Sequence, residues 1–450
     1  MDLTSYVAGE YPIATFNFST GYFKIPADAT ISISFANNNF MDMSGCTTPQ
    51  VFFFGDSDEY GSQDSFTGGV TPTSSSNLIS LQRDGSGEEI LRDAPERSTL
   101  TVKCQIRNAL FEGTTGNFTV TTTASSGGII NTVSGFGKTI TPSGFNNRAP
   151  VISPTSLVAG DITNLNVTFH SSNPIPSDGK IVLEVPSSFT NVQASGVVSS
   201  SMNGGFNVAT VANNAAVFDN TMKTSGGSWI VTITRDGVGD PVAEDTVVNL
   251  IISSVTNMQF EGPSGQFTYL KTTLNDGTTA IDETSTESDA IGLPAPSVTI
   301  TPSGFKQEAP LVTPLSLIAG DNTNLNFTFV TQNPIPADGK IYLEVPDTFT
   351  NVQSTSLAGF KNIDGGFSVS TTANSAAVFD NTMKTSGGSW VIEITRNNLG
   401  GVVAEDVYVT FIIEGITNMQ FEGPSGSFIM MKTTLNDGTT AIDETSTESD

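Results

Sequence analysis

One stretch of the chain is copied outright: residues 271–289 recur without change as residues 432–450. The copying reaches much further. Ala159-Gly160-Asp161 returns as Ala319-Gly320-Asp321, and Asn173-Pro174-Ile175-Pro176 returns as Asn333-Pro334-Ile335-Pro336, each 160 residues on. From Val217-Phe218-Asp219-Asn220 to Trp229 the offset becomes 161, the copy running from Val378-Phe379-Asp380-Asn381 to Trp390. One residue is therefore inserted between Gln193 and Gly204. A diverged third copy fills the start: Ala8-Gly9 matches Ala159-Gly160, Ile25-Pro26-Ala27-Asp28 matches Ile175-Pro176-Ser177-Asp178, and Phe111-Glu112-Gly113 matches Phe260-Glu261-Gly262. Likewise Thr141-Pro142-Ser143-Gly144-Phe145 matches Thr301-Pro302-Ser303-Gly304-Phe305. A long period makes each copy one structural unit. The 450 residues then divide into repeats at 1–145, 146–305 and 306–450, each about 150–160 residues.

Within a copy the pattern is that of strands. Leu165-Asn166-Val167-Thr168-Phe169, Ile181-Val182-Leu183-Glu184-Val185 and Trp229-Ile230-Val231-Thr232-Ile233 are strand-type runs in which apolar side chains recur at every second position, the period of a half-buried strand. Asp178-Gly179, Asn203-Gly204-Gly205, Asp236-Gly237 and Asn275-Asp276-Gly277 are turn signals that supply positive-φ positions. Pro174 and Pro176 bound a strand, since proline cannot donate to a central ladder. The expected fold is all-β: three tandem immunoglobulin-like β-sandwiches. Copy three lacks a counterpart of residues 290–305, so its last strand is expected either from a longer array or from a neighbouring molecule, the former preferred.

Charge removes whole classes of function. The formal net charge is −27, from 18 Lys+Arg and 45 Asp+Glu. Such a chain is unsuited to neutralising nucleic-acid phosphates or adhering to an anionic membrane. No apolar run is long enough to span a bilayer. Met1 to Ser5 lacks the basic start and apolar core of a secretion signal, so a leader is expected to have been removed or to lie elsewhere.

The blocks Thr313 to Asp321, Asn333 to Ile341, Leu343-Glu344-Val345-Pro346 and Phe421 to Gly426, with the Thr-rich hairpin ending Ile442-Asp443-Glu444, together resemble the tandem immunoglobulin-like repeats of very long surface proteins of protists and algae. The resemblance covers copies two and three fully and copy one loosely, with Asn77 standing where Trp229 and Trp390 stand. It implies an extracellular filament, hair or coat component, with mastigoneme-like hairs one member of the class, and supplies no catalytic residues.

Several residues invite a chemical role. With two cysteines and one histidine no Cys/His zinc site can be assembled. Cys46 and Cys104 are expected to form a disulfide, which would add about 3–4 kcal/mol by loop closure; two buried free thiols are the alternative. His170 is read as an ordinary strand-end residue, being Ser19 and Val330 in the other copies. Gly137-Lys138-Thr139 lacks the upstream glycine of a phosphate loop, and Ser177 of the Ser177-Lys180 pair becomes alanine in the other copies. Arg83, Arg235 and Arg396 recur at one strand end and are expected to pair with Glu112, Glu261 and Glu422. Trp229 and Trp390 read as core anchors under Gly226-Gly227 and Gly387-Gly388 rather than sugar platforms. Asp276, Asp282, Glu283, Glu287 and Asp289, with Asp161 and Asp321, are candidates for Ca²⁺, against a solvated acidic loop as the plainer reading. Asn17, Asn117, Asn166 and Asn326 head N-x-[S/T] sequons and are expected to carry glycans on a secreted chain.

The expected function is a non-catalytic structural array at the cell surface. Self-association with copies of the same chain is the expected partnership and glycans the second; no cofactor beyond the weak Ca²⁺ candidates is implied. A carbohydrate-binding adhesin is the alternative, and a two-carboxylate glycosidase a distant third. The loops from Val217 to Trp229 and from Val378 to Trp390 are copied nearly unchanged, which favours their use in repeated self-contact.

Overall fold

The computed structural model describes residues 1–19, 24–35, 41–54, 64–65, 70–86, 89, 99–146, 148–213, 227–267, 269–284, 297–306, 310–354, 356–374, 389–428 and 430–445. Strands occupy all three repeats, and there is no helix among the described residues. None is therefore long and apolar enough to cross a membrane.

Each repeat folds into two antiparallel sheets over one apolar cluster, an immunoglobulin-like β-sandwich. In the second repeat one sheet runs Val151–Pro154, Ile162–His170, Val247–Thr256, Asn191–Ser199. The facing sheet runs Phe206–Asn213, Ser228–Arg235, Lys180–Pro186, Leu270–Thr273, Ala280–Glu283. The third repeat reproduces this order, with Asn351–Val352 and Leu357–Lys361 both pairing Tyr408–Thr417. The first keeps it too: Asp2–Leu3, Ile13–Ser19, Thr99–Gln105, Gln50–Phe54 in one sheet; Val70–Ser75, Leu78–Arg83, Thr30–Phe35, Phe118–Thr123, Ile129–Gly135 in the other.

Alternation explains the packing. In Ile162–His170 Leu165, Val167 and Phe169 are buried while Ile162 and Asn166 face solvent, as a pleated strand with one core face requires. The positive-φ expectation holds at Gly204, Gly237 and Gly277. Gly179 does not adopt it; a Cβ there would lie 3.0 Å from the Thr273 carbonyl oxygen, so close approach rather than handedness demands glycine.

Phe145 and Phe305, expected to close their repeats, pack forward instead. Phe145 is fully buried in the second cluster against Phe169, and Phe305 lies on the third cluster against Phe329. The segments after them are thus pinned at their first residue.

Candidate functional site

The most distinctive geometry lies where successive repeats meet, and it occurs twice. At the first junction the Ser143 hydroxyl of repeat one donates to Asp282 Oδ1 of repeat two at 2.5 Å. Asn173 Nδ2 reaches Asp282 Oδ1 at 3.0 Å, Ser143 Oγ at 2.8 Å and the Ala8 carbonyl at 3.4 Å. The amides of Ser172 and Asn173 donate to Asp282 Oδ2 at 3.0 and 3.3 Å. At the second junction Ser303, Asn333 and Asp443 repeat the cage: Ser303 Oγ to Asp443 Oδ1 is 2.6 Å, and Asn333 Nδ2 to Asp443 Oδ1, Ser303 Oγ and the Ala159 carbonyl are 3.0, 2.8 and 3.3 Å. The Gln332 and Asn333 amides complete it at 3.1 and 3.2 Å from Oδ2.

The strands around each cage run alongside one another. Ser143 forms a parallel bridge with Asp282, and Ser303 with Asp443. Glu112 bonds to Ala280 twice, its amide to the carbonyl at 2.8 Å and its Oε1 accepting from the amide at 2.7 Å. Glu261 does the same to Ala441, at 2.7 Å for both bonds. Phe260 packs on Leu435 and Ile442 across the second junction. The first junction adds an Arg107–Glu244 ion pair.

The Ala-Gly motif belongs here as well. A Cβ on Gly9 would sit 2.0 Å from Asn173 Oδ1, and one on Gly160 1.9 Å from Asn333 Oδ1; both glycines have φ near the left-handed region, 75° and 73°. Glycine is required twice over, by handedness and by the neighbouring repeat's asparagine. Burial pushes the Asp282 and Asp443 carboxyls up to about 6, outweighing the hydroxyl and amide donors that favour the charged form.

The recurring arginines do something else. Arg235 Nη1 donates to the Ile175 and Pro176 carbonyls at 3.2 and 2.6 Å, and Nη2 to Asn203 and Asp240 carbonyls at 3.4 and 2.5 Å. Arg396 repeats this on Ile335, Pro336, Asp364 and Gly401, and Arg83 holds Ile25 and Pro26. The expected pairing with Glu112, Glu261 and Glu422 is therefore corrected. The guanidinium fork ties loop carbonyls at one end of its own repeat, while Glu112 and Glu261 reach the next repeat. Burial lowers the pKa of all three arginines. Trp229 and Trp390 are half-buried against their clusters, each indole N–H bonded to a carbonyl, Phe189 at 2.9 Å and Phe349 at 3.1 Å. Gly226, Gly387 and Gly388, and most of the copied loops before the tryptophans, lie outside the described residues.

The disulfide expectation is also corrected. Cys46 and Cys104 are both buried free thiols in the first cluster. They are hydrogen-bonded to each other, and that bond lowers the Cys46 thiol while, with burial, it pushes the Cys104 thiol up. The Ca²⁺ candidates do not converge: among the described residues no three acids, histidines or cysteines form a group that could hold a metal ion. Asp282 is caged by donors; Asp276 caps its own turn, its pKa lowered to about 2 by the Thr279 hydroxyl and the backbone amides of Thr278 and Thr279. Asp161 and Asp321 accept from Ser156 and Ser316, Glu283 is bound through its amide to Ser143, and Glu287 and Asp289 lie outside the described residues. His170 is a half-buried strand end with Nε2 3.3 Å from Arg148 Nη1. Asn17, Asn117 and Asn166 are exposed, Asn17 also accepting from the Thr101 hydroxyl, and Asn326 is half-buried.

No protein-family profile matches the chain, and no curated protein does. Similar solved structures include the C-terminal domain of the Streptococcus pyogenes antigen I/II-family protein AspA, at 11% identity over 66% of this chain and 93% of that one, with a TM-score of 0.22. A Corynebacterium diphtheriae protein described as membrane anchored gives 13% identity over 98% and 87%, TM-score 0.19. The type II cohesin dyad of the Acetivibrio cellulolyticus adaptor ScaA scaffoldin gives 11% over 64% and 88%, TM-score 0.15. These three are bacterial, and none supports the resemblance to protist and algal hairs.

Proposed function

We propose that the chain is a non-catalytic structural array of the cell surface or extracellular space, in which joined β-sandwiches act as a spacer or coat element. The observation that carries this reading is the junction itself: two successive joins made from the same Ser, Asn, Asp and Glu side chains at matching distances. Identical joins repeat one geometry along the chain, and each repeat contacts only its neighbours. Head-to-tail contacts between chains extend such an array into a fibre. The strongly negative, lysine-poor surface keeps it soluble, and glycans on Asn17, Asn117 and Asn166 would cover exposed strand faces.

Electron microscopy of native material, with intact mass on the same sample, tests the reading. Fibres with an axial repeat commensurate with one or a few repeats, and excess mass at the sequons, are expected. Monodisperse, unmodified monomers would overturn both the fibre and its glycan cover.

A further inference from the structure

We propose that a cleft at the first junction, open between repeats one and two, binds a neutral oligosaccharide. The array reading above needs no such site, and this inference goes beyond it.

The cleft holds about 550 Å³ and its walls come from both repeats, a size within the roughly 300–1,000 Å³ of small-ligand sites. Repeat one supplies Glu10, Tyr11 and Arg107; repeat two supplies Asn146, Glu244 and Asp245. Gly9 turns the chain against Asn173, and Glu10 and Tyr11 follow it directly, both exposed. Tyr11 is 59% exposed, although its ring is of a kind that normally buries much of its area. The Arg107 guanidinium lies over that ring, 5.2 Å from its centroid. Arg107 is itself anchored, Nε donating to the Gly9 carbonyl at 3.3 Å and Nη2 pairing with Glu244 across the junction. The ring is therefore held in place while most of it stays open to solvent. On the other wall Asn146 Nδ2 donates to Asp245 Oδ1 at 2.7 Å, which orients that carboxylate.

The chemistry of the walls selects a ligand. Three carboxylates, of Glu10, Glu244 and Asp245, against one guanidinium give the cleft the negative sign of the whole chain, which turns away anions. They do not gather on one point: among the described residues no three acids form a group that could hold a metal ion. They remain separate acceptors beside an aromatic plate, and that is the combination a pyranose uses. Its hydroxyls donate charge-assisted hydrogen bonds to carboxylates, while its C–H face packs on the tyrosine. A basic side chain from a peptide would meet Arg107, already seated on Glu244 and Tyr11.

Repetition does not produce this cleft. At the second junction Ile162 stands for Tyr11, Thr256 for Arg107 and Lys306 for Asn146. Asp161, in the place of Glu10, is taken up by the Ser156 hydroxyl, and Lys306 pairs with Asp406, the counterpart of Asp245. The Ser, Asn and Asp cage is the same at both junctions. The join thus closes without an aromatic plate and an arginine beside it, and their presence at one junction alone marks a use other than joining.

The test titrates the full chain with maltotriose, cellotriose, chitotriose and mannotriose, and with sialyllactose as the anionic control, by saturation-transfer NMR and calorimetry. Mannotriose stands for an N-linked glycan on a neighbouring copy, the others for matrix polysaccharide. One neutral trisaccharide per chain is expected to bind, with saturation reaching its ring C–H protons. Tyr11→Ala should weaken it about tenfold and Glu10→Gln about threefold. Ile162→Ala, at the matching place on the second junction, should leave binding unchanged. Tyr11 and Glu10 are exposed, so both variants should keep the wild-type circular dichroism. Silence from every neutral sugar, binding indifferent to Tyr11→Ala, or tighter binding of sialyllactose would overturn the proposal. So would tighter binding of tetralysine, which would make the occupant a basic peptide. The microscopy scores the array separately: fibres with silent sugars sink the cleft alone, and sugar binding without fibres sinks the fibre alone.

Discussion

The first and second repeats share a strand order but little sequence, and what the diverged copy keeps is instructive. Repeat one retains Ala8-Gly9, Glu112, Ser143 and Arg83. Three of these sites touch the next repeat, and the fourth ties a loop end to its own sandwich. It does not retain the other half of the join: Phe23 stands at the position of Asn173 and Asn333, and Ile129–Gly135, in place of Ala280–Glu283, contains no acid. Its indole is gone too, Asn77 replacing it. Core positions tolerate exchange of one apolar side chain for another, whereas a hydrogen-bonded cage depends on particular atoms.

That contrast can be broken in several places. The largest effect should come from Arg235→Ala, which strips four loop carbonyls of their donor; a loss of about 4 kcal/mol in denaturant unfolding of the second repeat is expected, and a loss under 1 kcal/mol would show the fork to be ornamental. Next, Gly160→Ala and Gly320→Ala impose the same left-handed strain, φ 73° and 77°, but only the former meets a neighbour's side chain. Calorimetry should show about 3 kcal/mol lost for Gly160→Ala and about 1 kcal/mol for Gly320→Ala. Equal losses would remove the glycine from the junction.

The buried carboxylates supply a pH test. Asp282 and Asp443 have folded pKa values raised to about 6 from the ordinary 3.8. Between those values the folded state holds more protons at these two sites than the unfolded one, so their contribution to stability is full below about pH 4 and declines as pH rises through 6. About 3 kcal/mol per site is expected to be lost over that window, and melting curves of Asp282→Asn with Asp443→Asn should be flatter there. Stability rising over the same window would reverse the assignment. A loss of only about 1.5 kcal/mol is expected from Asn173→Ala, since the Ser172 and Asn173 amides still reach Asp282. Small-angle scattering should show the first two repeats loosened relative to one another; an unchanged profile would leave the strand pairing around Glu112 and Ala280 as the dominant hold.

The sandwiches were legible because alternation is a local property: Leu165, Val167 and Phe169 declare a buried face without reference to anything else. The junction was only half legible. Its residues stood out as repeated motifs, yet whether a repeated polar side chain points into its own sandwich or across to the next is a three-dimensional fact. From sequence Glu112 and Glu261 point to the arginines, the scarce opposite charges, whereas their partners are uncharged backbone groups of Ala280 and Ala441. A signal was present in the same motif: an acid between Phe and Gly in all three copies, on a chain with few cations, suits capping of backbone amides better than ion pairing. Asp282 reads wrongly from sequence for a related reason. A carboxylate among Ser and Thr resembles a solvated loop until its strand is seen to be buried.

The cage also sets an order of events during synthesis. Ser143 and Asp282 are 139 residues apart, and Ser303 and Asp443 are 140 apart. A finished repeat therefore leaves the ribosome with its far join open, and the join closes only when the last hairpin of the following repeat appears. At a translation rate of roughly 5–20 residues per second that delay is about 7–28 s. Each sandwich has that interval to settle alone before it is committed to a neighbour, so assembly trails synthesis by one repeat and a stalled chain stays unlocked at its growing end.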